Sequence, residues 1–326
     1  MSGAVRRGVR RLQTINYWLI AQAAKVGIGT LRLLPMDAAL NIADRGSRRL
    51  GPLFGRHRVA LDNLRHAFPE KSEAEIRAIA LDMWGNMARL AVEYLYLDRL
   101  FDYDPAHPNV GRIEAQGAHI YERVAAEKKA HIIFTAHLGN FELIPIAGDT
   151  FGLHVTAMFR PPNNPYIAEY ILSTRRASMG ELLPSRRGAA IALARTLEAG
   201  GNIGALVDQK FQYGVITNFF GRPCETSPLL PKLARQFDCD VYPARSIRLP
   251  GNRFRLELEE KLTLPRDAEG KVDVAATAQL FTVVVERWVR ENPGQWMWFH
   301  KRWKLTPPRA RRKSVDSSSG NPPAQE

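Results

Sequence analysis

The residues of this chain best placed to do chemistry are His137 and Glu142, five positions apart in the segment AHIIFTAHLGNFEL. An imidazole can act as a general base near neutral pH, and a carboxylate can orient its ring and stabilise the imidazolium that forms. A second pair, His57 and Asp62, has the same spacing but follows no strand-like run. Because this spacing arises easily by chance, the surrounding sequence has to distinguish the two pairs.

The sequence before His137 predicts a buried strand that ends at this histidine. Residues 132–135 are Ile-Ile-Phe-Thr, a short run rich in β-branched residues and bounded by polar ones. The glycine and Asn140 that follow permit a tight turn, and Asn140 can cap a helix whose first turn holds Glu142. This context favours a functional His137/Glu142 pair over the alternative, a buried, hydrogen-bonded and inert histidine.

Two further predicted strands also end in polar residues. Arg160 ends the strand predicted at residues 154–160, and Asp208 and Gln209 follow the strand predicted at 202–207. Ligands of open α/β sheets bind at the carboxyl ends of strands, so we expect these side chains and Asn140 to bind substrate beside His137. The alternatives are a surface arginine, an aspartate that braces the sheet, and an asparagine that only caps the helix.

Strands that alternate with helices predict an α/β fold, a mixed central sheet flanked by helices. Ser72 and Glu75 form a capping box for a helix that we expect to reach about Leu97. Further helices are predicted at residues 117–129, 143–147, 166–179, 189–199, 229–237 and 274–291. Further strands are predicted at residues 181–184, 215–220, 241–249 and 253–260, the last two as an antiparallel hairpin.

The ends of the chain carry most of its net charge of +13. Four arginines precede residues 12–34, an apolar stretch that includes Tyr17 and Trp18, two residue types that favour membrane interfaces. Its uncharged run stops at Lys25, short of the roughly 18 to 20 residues that span a bilayer. We expect residues 1–36 to form a basic, membrane-associating amphipathic helix on an anionic membrane surface, with a marginal span or a core helix as alternatives.

Residues 37–306 are expected to form one catalytic domain, and residues 307–326 a disordered tail. The two cysteines, Cys224 and Cys239, have no metal-ligand spacing, so free thiols in a reducing compartment are expected. HExxH is absent and the eight histidines form no cluster, so we expect no metal. No nucleic-acid-binding motif accompanies the basic charge, which makes a nucleic-acid partner the weaker interpretation.

Several segments together resemble a known family. TAHLGNFE, MFRP, GALVDQ, NFFG and PGQWMWFHKRWK, with NLRHAFPEKSEAEIRAIALDMWGNMARLAVEYL before them, resemble the late acyltransferases of lipid A biosynthesis. These lauroyl or myristoyl transferases belong to the lysophospholipid acyltransferase superfamily. The resemblance extends over residues 12–304. One departure is Ala136, where many superfamily members have asparagine before the histidine, and it weakens the match to the glycerolipid branch more than to the lipid A branch.

The resemblance implies a glycerolipid-acyltransferase-like fold and specific roles. His137 would be the general base and Glu142 would orient and polarise it. Arg160 would bind substrate phosphate or the developing oxyanion, and Asp208 and Gln209 would bind substrate or support the site. The family takes its acyl chain from acyl carrier protein, needs no cofactor, and acylates a lipid A precursor at the cytoplasmic face of the bacterial inner membrane.

The residues leave other functions open. A related glycolipid or lysophospholipid acyltransferase is the nearest alternative, and a non-catalytic protein of the membrane surface is another. The aromatic side chains of the C-terminal motif can likewise be core anchors without contact to substrate; they are Trp296, Trp298, Phe299 and Trp303.

Overall fold

The computed structural model describes residues 3–108, 110–127, 129–161, 164–169, 181–186 and 188–307. The strands of the central sheet are β1 (Ile113–Gln116), β2 (His131–Thr135), β3 (Val155–Phe159), β4 (Leu182–Pro184), β5 (Asn202–Leu206), β8 (Asp240–Leu249) and β9 (Arg253–Leu258). They lie in the order β1-β9-β8-β2-β5-β3-β4. Neighbours run parallel except β8 and β9, which form an antiparallel hairpin. The predicted mixed α/β fold is therefore confirmed.

Helices flank both faces of this sheet. They are α1 (Gly3–Arg32), α2 (Met36–Leu50), α3 (Gly55–Ala67), α4 (Glu73–Glu93), α5 (Leu97–Leu100), α6 (Ala118–Ala126), α7 (Leu143–Thr150), α8 (Ala189–Glu198), α9 (Leu229–Phe237) and α10 (Val274–Glu291). Side chains of β2 alternate between two cores, as the two-residue period of a strand requires. Ile132 and Phe134 pack with α3, α4 and α8 to α10, whereas Ile133 packs with α6 and α7.

The predicted capping box at the start of α4 is confirmed. Ser72 accepts from the backbone N–H of Glu75, and the Glu75 carboxylate accepts from the backbone N–H of Ser72. The helix ends at Glu93 rather than near Leu97, because Tyr96 leaves the helical region with φ −130° before α5 begins.

The sequence missed two strands, the edge strand β1 and β7 (Arg222–Thr226). β7 pairs with β6 (Val215–Phe219) in a separate two-stranded sheet. β7 contains Pro223, which argued against a strand, but an isolated two-stranded ribbon tolerates a residue that cannot donate to the ladder. Most of the helix predicted at residues 166–179, and nearly all of the tail predicted at 307–326, lie outside the described residues.

The N-terminal helix α1 packs against the body of the protein near its C-terminal end. There Tyr96 donates its hydroxyl to the carbonyl of Leu31 at 2.7 Å. Along its earlier turns the apolar side chains of Ile15, Trp18 and Leu19 are about half exposed, which is unlike a core helix. Among the described residues, no helix has both the length and the apolar character that crossing a bilayer requires.

Candidate active site

The register of two parallel strands brings His137 and Asp208 together. β2 and β5 are neighbours, with Thr135 opposite Leu206. Two residues beyond that pair, both chains leave the sheet at its carboxyl edge, and His137 and Asp208 emerge side by side. The residues predicted to end two separate strands therefore meet at one site, as expected for the carboxyl edge of an α/β sheet.

Hydrogen bonds define the tautomer of His137. Its Nδ1 lies 2.8 Å from Oδ1 of Asp208, and its backbone N–H donates to Oδ2 at 2.9 Å. An ionised carboxylate only accepts, so Nδ1 carries the proton. Nε2 lies 3.0 Å from the side-chain nitrogen of Gln209, which donates to it. His137 is therefore a neutral imidazole whose Nε2 lone pair is available to accept a proton.

Asp208 is held ionised beneath this imidazole. Burial alone would raise the pKa of its carboxyl, but the electrostatic attraction of the His137 ring N–H, the two hydrogen bonds from His137 and one from Trp296 outweigh burial and hold the pKa at about 2. The Trp296 indole N–H donates to Oδ2 at 2.8 Å. An aspartate fixed in this way keeps the imidazole oriented and would stabilise the imidazolium formed when Nε2 takes a proton.

The orienting role of Glu142 stays a prediction, since the hydrogen bonds of both ring nitrogens of His137 are with Asp208 and Gln209. The Glu142 carboxylate instead accepts from the Tyr94 hydroxyl at the end of α4. The backbone N–H of Glu142 donates to Oδ1 of Asn140 at 3.1 Å, in the turn that leads into α7. Glu142 remains part of the site, because it is buried and lines the same cavity as His137.

A cavity of about 1020 Å³ extends from His137 across the sheet face beneath α7. Three cross-strand neighbours, Ile133, Gly204 and Ala157, form one row of its floor, and Tyr121 and Leu153 also line it. Gly204 keeps the floor low, because a Cβ there would come within 2.9 Å of Val155. The lining is mainly apolar, apart from polar and charged side chains that include His137, Glu142, Arg160, Arg186, Gln209, Lys210 and His300.

Comparison with known proteins identifies the family. Residues 6–305 match the bacterial lipid A biosynthesis acyltransferases. The chain is 26% identical over 304 residues to a lipid A biosynthesis myristoyltransferase of Escherichia coli (strain K12), covering 90% of this chain and 89% of that protein. It is 24% identical over 293 residues to a lipid A biosynthesis acyltransferase of Haemophilus influenzae, covering 87% and 86%. The chain belongs to the bacterial lipid A biosynthesis acyltransferase family. It is therefore an acyltransferase of lipid A biosynthesis.

In this lipid A acyltransferase Asn140 forms structural hydrogen bonds, and substrate binding by Asn140 stays a prediction. It is 0% exposed and does not line the cavity. Its Nδ2 donates to Glu93 at 2.9 Å, and its Oδ1 accepts from the backbone of Glu142. Glu93 is itself paired with buried Arg248. The alternative interpretation, a residue that supports the start of the helix, is the one that its hydrogen bonds match.

The C-terminal motif of the acyltransferase closes the site from behind. Gly139 has φ +57°, and a Cβ there would lie 2.2 Å from the carbonyl oxygen of Ser246, so only glycine fits. The Gly139 N–H donates to the carbonyl of Gln295 at 3.2 Å, and Leu138 forms a β-bridge with Trp296. The turn that carries His137 is thus fixed to the segment at residues 293–298.

The aromatic residues of that motif divide into two groups. Trp296, Trp298 and Trp303 are buried, and their indole N–H groups donate to Asp208 and to the carbonyls of Pro293 and Phe219. They are the core anchors of the alternative interpretation. Phe299 instead lines the cavity.

Sequence reasoning gave no role to several cavity-lining residues, among them Tyr94, Lys210 and His300. The signal for His300 was its place in the WMWFHKRW motif, which contributed only to the family resemblance. Arg160, which sequence reasoning did select, also lines the cavity and is exposed.

Proposed function

We propose that this acyltransferase moves a fatty acyl chain of lauroyl or myristoyl size from acyl carrier protein to a hydroxyl of a lipid A precursor, with His137 as general base. The observation that carries the proposal is the neutral His137, whose Nδ1–H is held by Asp208 and whose Nε2 accepts. This imidazole lies beside an apolar cavity long enough for a fatty chain. The names of the related proteins agree with this substrate class.

The reaction joins the acceptor oxygen to the thioester carbonyl carbon. The acceptor hydroxyl would replace the Gln209 amide as the group that donates to Nε2 of His137. As its oxygen attacks the carbonyl carbon, the hydroxyl proton passes to Nε2, and Asp208 stabilises the imidazolium. The C–S bond then breaks, the proton passes from Nε2 to the departing sulfur, and the products are an ester and the thiol of the carrier.

The cavity fits the acyl chain of the donor. From the level of His137 to that of Ile133 is four residues, or about 13 Å at the rise of a strand. Each buried methylene contributes about 0.8 kcal/mol to binding, so a long chain supplies much of the affinity through this floor. We assign Arg160 to the binding of a substrate phosphate. We assign Glu142 and Tyr94 to the side of the cavity that receives the hydroxyl-bearing lipid.

An apolar tip between α2 and α3 supports association with an anionic membrane, here the cytoplasmic face of the bacterial inner membrane. The tip consists of Leu50, Leu53 and Phe54, which are 57%, 80% and 59% exposed. Exposed Arg49 and Arg56 flank it. Phe54 contacts Trp84, and Trp84 stacks on Phe299 of the cavity lining at 5.4 Å. The tip and α1 would therefore place the cavity close to the lipid surface.

The test is acyl transfer by the purified full-length protein. Lauroyl- and myristoyl-acyl carrier protein are supplied with a detergent-dispersed lipid A precursor, and products are identified by mass spectrometry. We expect one added acyl chain, and a loss of about 10²- to 10⁴-fold for His137→Ala. The matched control is His154→Ala, since His154 also pairs with an aspartate but is exposed.

Two results would contradict the proposal. Wild-type rates in His137→Ala would remove the mechanism. Transfer to a lysophospholipid or another glycolipid, with none to the lipid A precursor, would show that the acceptor is a different lipid. Parallel assays with coenzyme A thioesters determine whether the acyl donor is acyl carrier protein or coenzyme A.

A further inference from the structure

We propose that His300 is a second catalytic residue of this site, which donates a hydrogen bond from Nδ1 to the thioester carbonyl oxygen as that oxygen becomes negative. The inference rests on the proposed acyl transfer. It gives the two histidines of the cavity complementary roles: His137 accepts the proton of the nucleophile, and His300 stabilises the charge that develops on the electrophile.

The hydrogen bonds of His300 fix which ring nitrogen carries the proton. The backbone N–H of Lys210 lies 3.0 Å from Nε2. A backbone N–H can only donate, so Nε2 accepts and the proton of the neutral ring is on Nδ1. Nδ1 has no hydrogen-bond partner among the residues that the structure describes, although the side chain lines the cavity. His300 therefore has an N–H available for substrate.

This tautomer matches that of His137, but the two rings offer substrate opposite groups. In His137 the Nδ1–H is bonded to Asp208, so the acceptor nitrogen Nε2 remains for chemistry. In His300 the acceptor nitrogen is bonded to the backbone, so the donor nitrogen remains. Hydroxyl attack on a thioester needs one acceptor for the proton and one donor for the oxyanion, and the cavity holds both.

The surroundings keep His300 uncharged. Burial lowers the pKa of its imidazole to about 4, and the positive groups Arg302 and Arg56 and the imidazole of His137 add to this effect, whereas the charge of Asp208 opposes it. A neutral imidazole is a suitable donor here, because it can stabilise the oxyanion without giving its proton to His137 or to the departing sulfur.

The backbone around His300 is held rigidly, as an oxyanion donor requires. The Asn63 side chain donates to the carbonyls of Trp298 and His300 at 2.8 and 3.0 Å. Buried Arg302 donates to the carbonyl of Gln209 at 3.1 Å. These bonds tie the His300 segment to the strand end that carries Asp208 and Gln209, so the donor is positioned before substrate binds.

In the reaction, the acceptor oxygen forms its bond to the carbonyl carbon while its proton passes to Nε2 of His137. The electron pair of the carbonyl π bond moves to the oxygen that Nδ1–H of His300 contacts. It then returns to re-form the carbonyl as the C–S bond breaks, and the proton on His137 passes to sulfur. His300 keeps its proton throughout.

Two isosteric substitutions separate this role from a structural one. The glutamine of His300→Gln reaches the position of Nε2 and can still accept from Lys210, but it has no donor near Nδ1. The amide of His300→Asn lies near Nδ1 and can still donate to substrate, but it cannot reach Lys210. We expect His300→Gln to lower kcat by about 10²- to 10³-fold with KM little changed, and His300→Asn to stay within about tenfold of wild type.

A residue that merely holds the Lys210 backbone would give the reverse order, with glutamine active and asparagine impaired. That order, or equal losses in the two variants, would overturn the inference. If neither variant is slower than wild type, His300 does not contact the reacting oxygen.

A second measurement does not depend on turnover. Nitrogen NMR of the ¹⁵N-histidine-labelled resting enzyme should show His300 with its proton on Nδ1 at neutral pH. The signals that are missing from the His300→Gln spectrum are those of His300. A proton on Nε2, or a charged ring, would overturn the inference even if acyl transfer is confirmed. Absence of acyl transfer by wild type would instead remove the proposed function, while the expected tautomer would still support the hydrogen-bond geometry.

Discussion

His131 and His137 stand at the two ends of strand β2, and each has a carboxylate within 3.0 Å of a ring nitrogen, yet the donors and acceptors around the two rings differ. His131 is fully buried. Its Nδ1 faces Oδ1 of Asn202, which also accepts the His131 backbone N–H, and its Nε2 faces Glu127. Both neighbours are acceptors, so this geometry suits a ring that carries a proton on each nitrogen.

His137 has one acceptor and one donor instead. Asp208 accepts from Nδ1, and Gln209 donates to Nε2. The ring is therefore neutral and has a basic lone pair. A carboxylate beside a histidine therefore does not by itself identify a general base. The balance of hydrogen-bond donors and acceptors around both ring nitrogens determines which nitrogens carry protons. At the two ends of β2 the Gln209 amide, which donates to His137, accounts for the difference.

The cluster at the amino end of β2 also contains cationic side chains. Glu127, His131 and Asp240 lie close enough for ligands of one ion. Lys129 approaches Asp240 at 2.6 Å and Glu127 at 3.0 Å, and Lys261 lies 3.1 Å from Asp240. The ammonium groups of Lys129 and Lys261 pair with these carboxylates, so the cluster is a network of ion pairs.

The largest effect is expected from Asp208→Asn, which removes the feature that fixes the tautomer of His137. An amide can no longer select the Nδ1 proton or stabilise the imidazolium, so kcat should fall about 10³- to 10⁴-fold. Asp149→Asn is the matched control, because Asp149 pairs with exposed His154 at 2.6 Å. Steady-state kinetics check this, and equal effects of the two substitutions would contradict it.

Gln209→Glu should convert His137 to the state of His131. With acceptors at both ring nitrogens the imidazolium becomes favoured, so activity at pH 7 should fall about 10- to 100-fold and recover at alkaline pH. Gln209→Ala removes the amide without adding an acceptor and should remain within a few-fold of wild type. The pH–rate profiles of the two variants test whether Gln209 controls the charge of His137. Coincident profiles would mean that Gln209 does not control the charge of His137.

Glu127→Gln tests the other end of the strand. It replaces the carboxylate that faces Nε2 of His131 and pairs with Lys129 by a neutral amide, so we expect the free energy of unfolding to fall by about 1 to 2 kcal/mol. The value of kcat should not change, because Glu127 is far along the strand from the cavity. Urea unfolding and kinetics on the same sample check both statements. A loss of kcat without a loss of stability would contradict this, because it would give the His131 end of β2 a role in catalysis instead of stability.

The smallest effect is the pH dependence of that stability. Hydrogen bonds from His131 and then from Lys129 lower the pKa of Glu127 from 4.5. A carboxyl whose folded pKa is lowered stabilises the protein above its unfolded pKa, and this contribution is lost as pH falls through the folded value. The difference in stability between wild type and Glu127→Gln should therefore be constant above about pH 5 and shrink below pH 4. A gap that stays open at pH 3 would contradict this.

The sequence predicted most of the strands, the hairpin of β8 and β9 and the position of His137 at a strand end, because these depend on local patterns. It pointed to the acid nearest in sequence, Glu142, and not to Asp208, the carboxylate that hydrogen-bonds Nδ1 of His137. The partner, Asp208, depends on β5 lying beside β2, although β3, β4 and α8 intervene in the chain. Strand order is a property of the whole fold and leaves no local signal.

The tautomers were beyond sequence reasoning for a related reason. The Gln209 amide and the Lys210 backbone, which complete the surroundings of His137 and His300, follow the same distant strand. By contrast, the cap role of Asn140 was available from the sequence as an alternative, because a cap involves only the next few residues.

The contact between Trp296 and Asp208 spans 88 residues, and that between Asn63 and Trp298 spans 235. Such distant pairings form late in folding, since the intervening chain must be ordered first. The segment that holds Asp208 and presents His300 also leaves the ribosome after the rest of the site. We therefore expect a nascent chain that has formed only its first strands to lack acyl transfer activity until this segment docks.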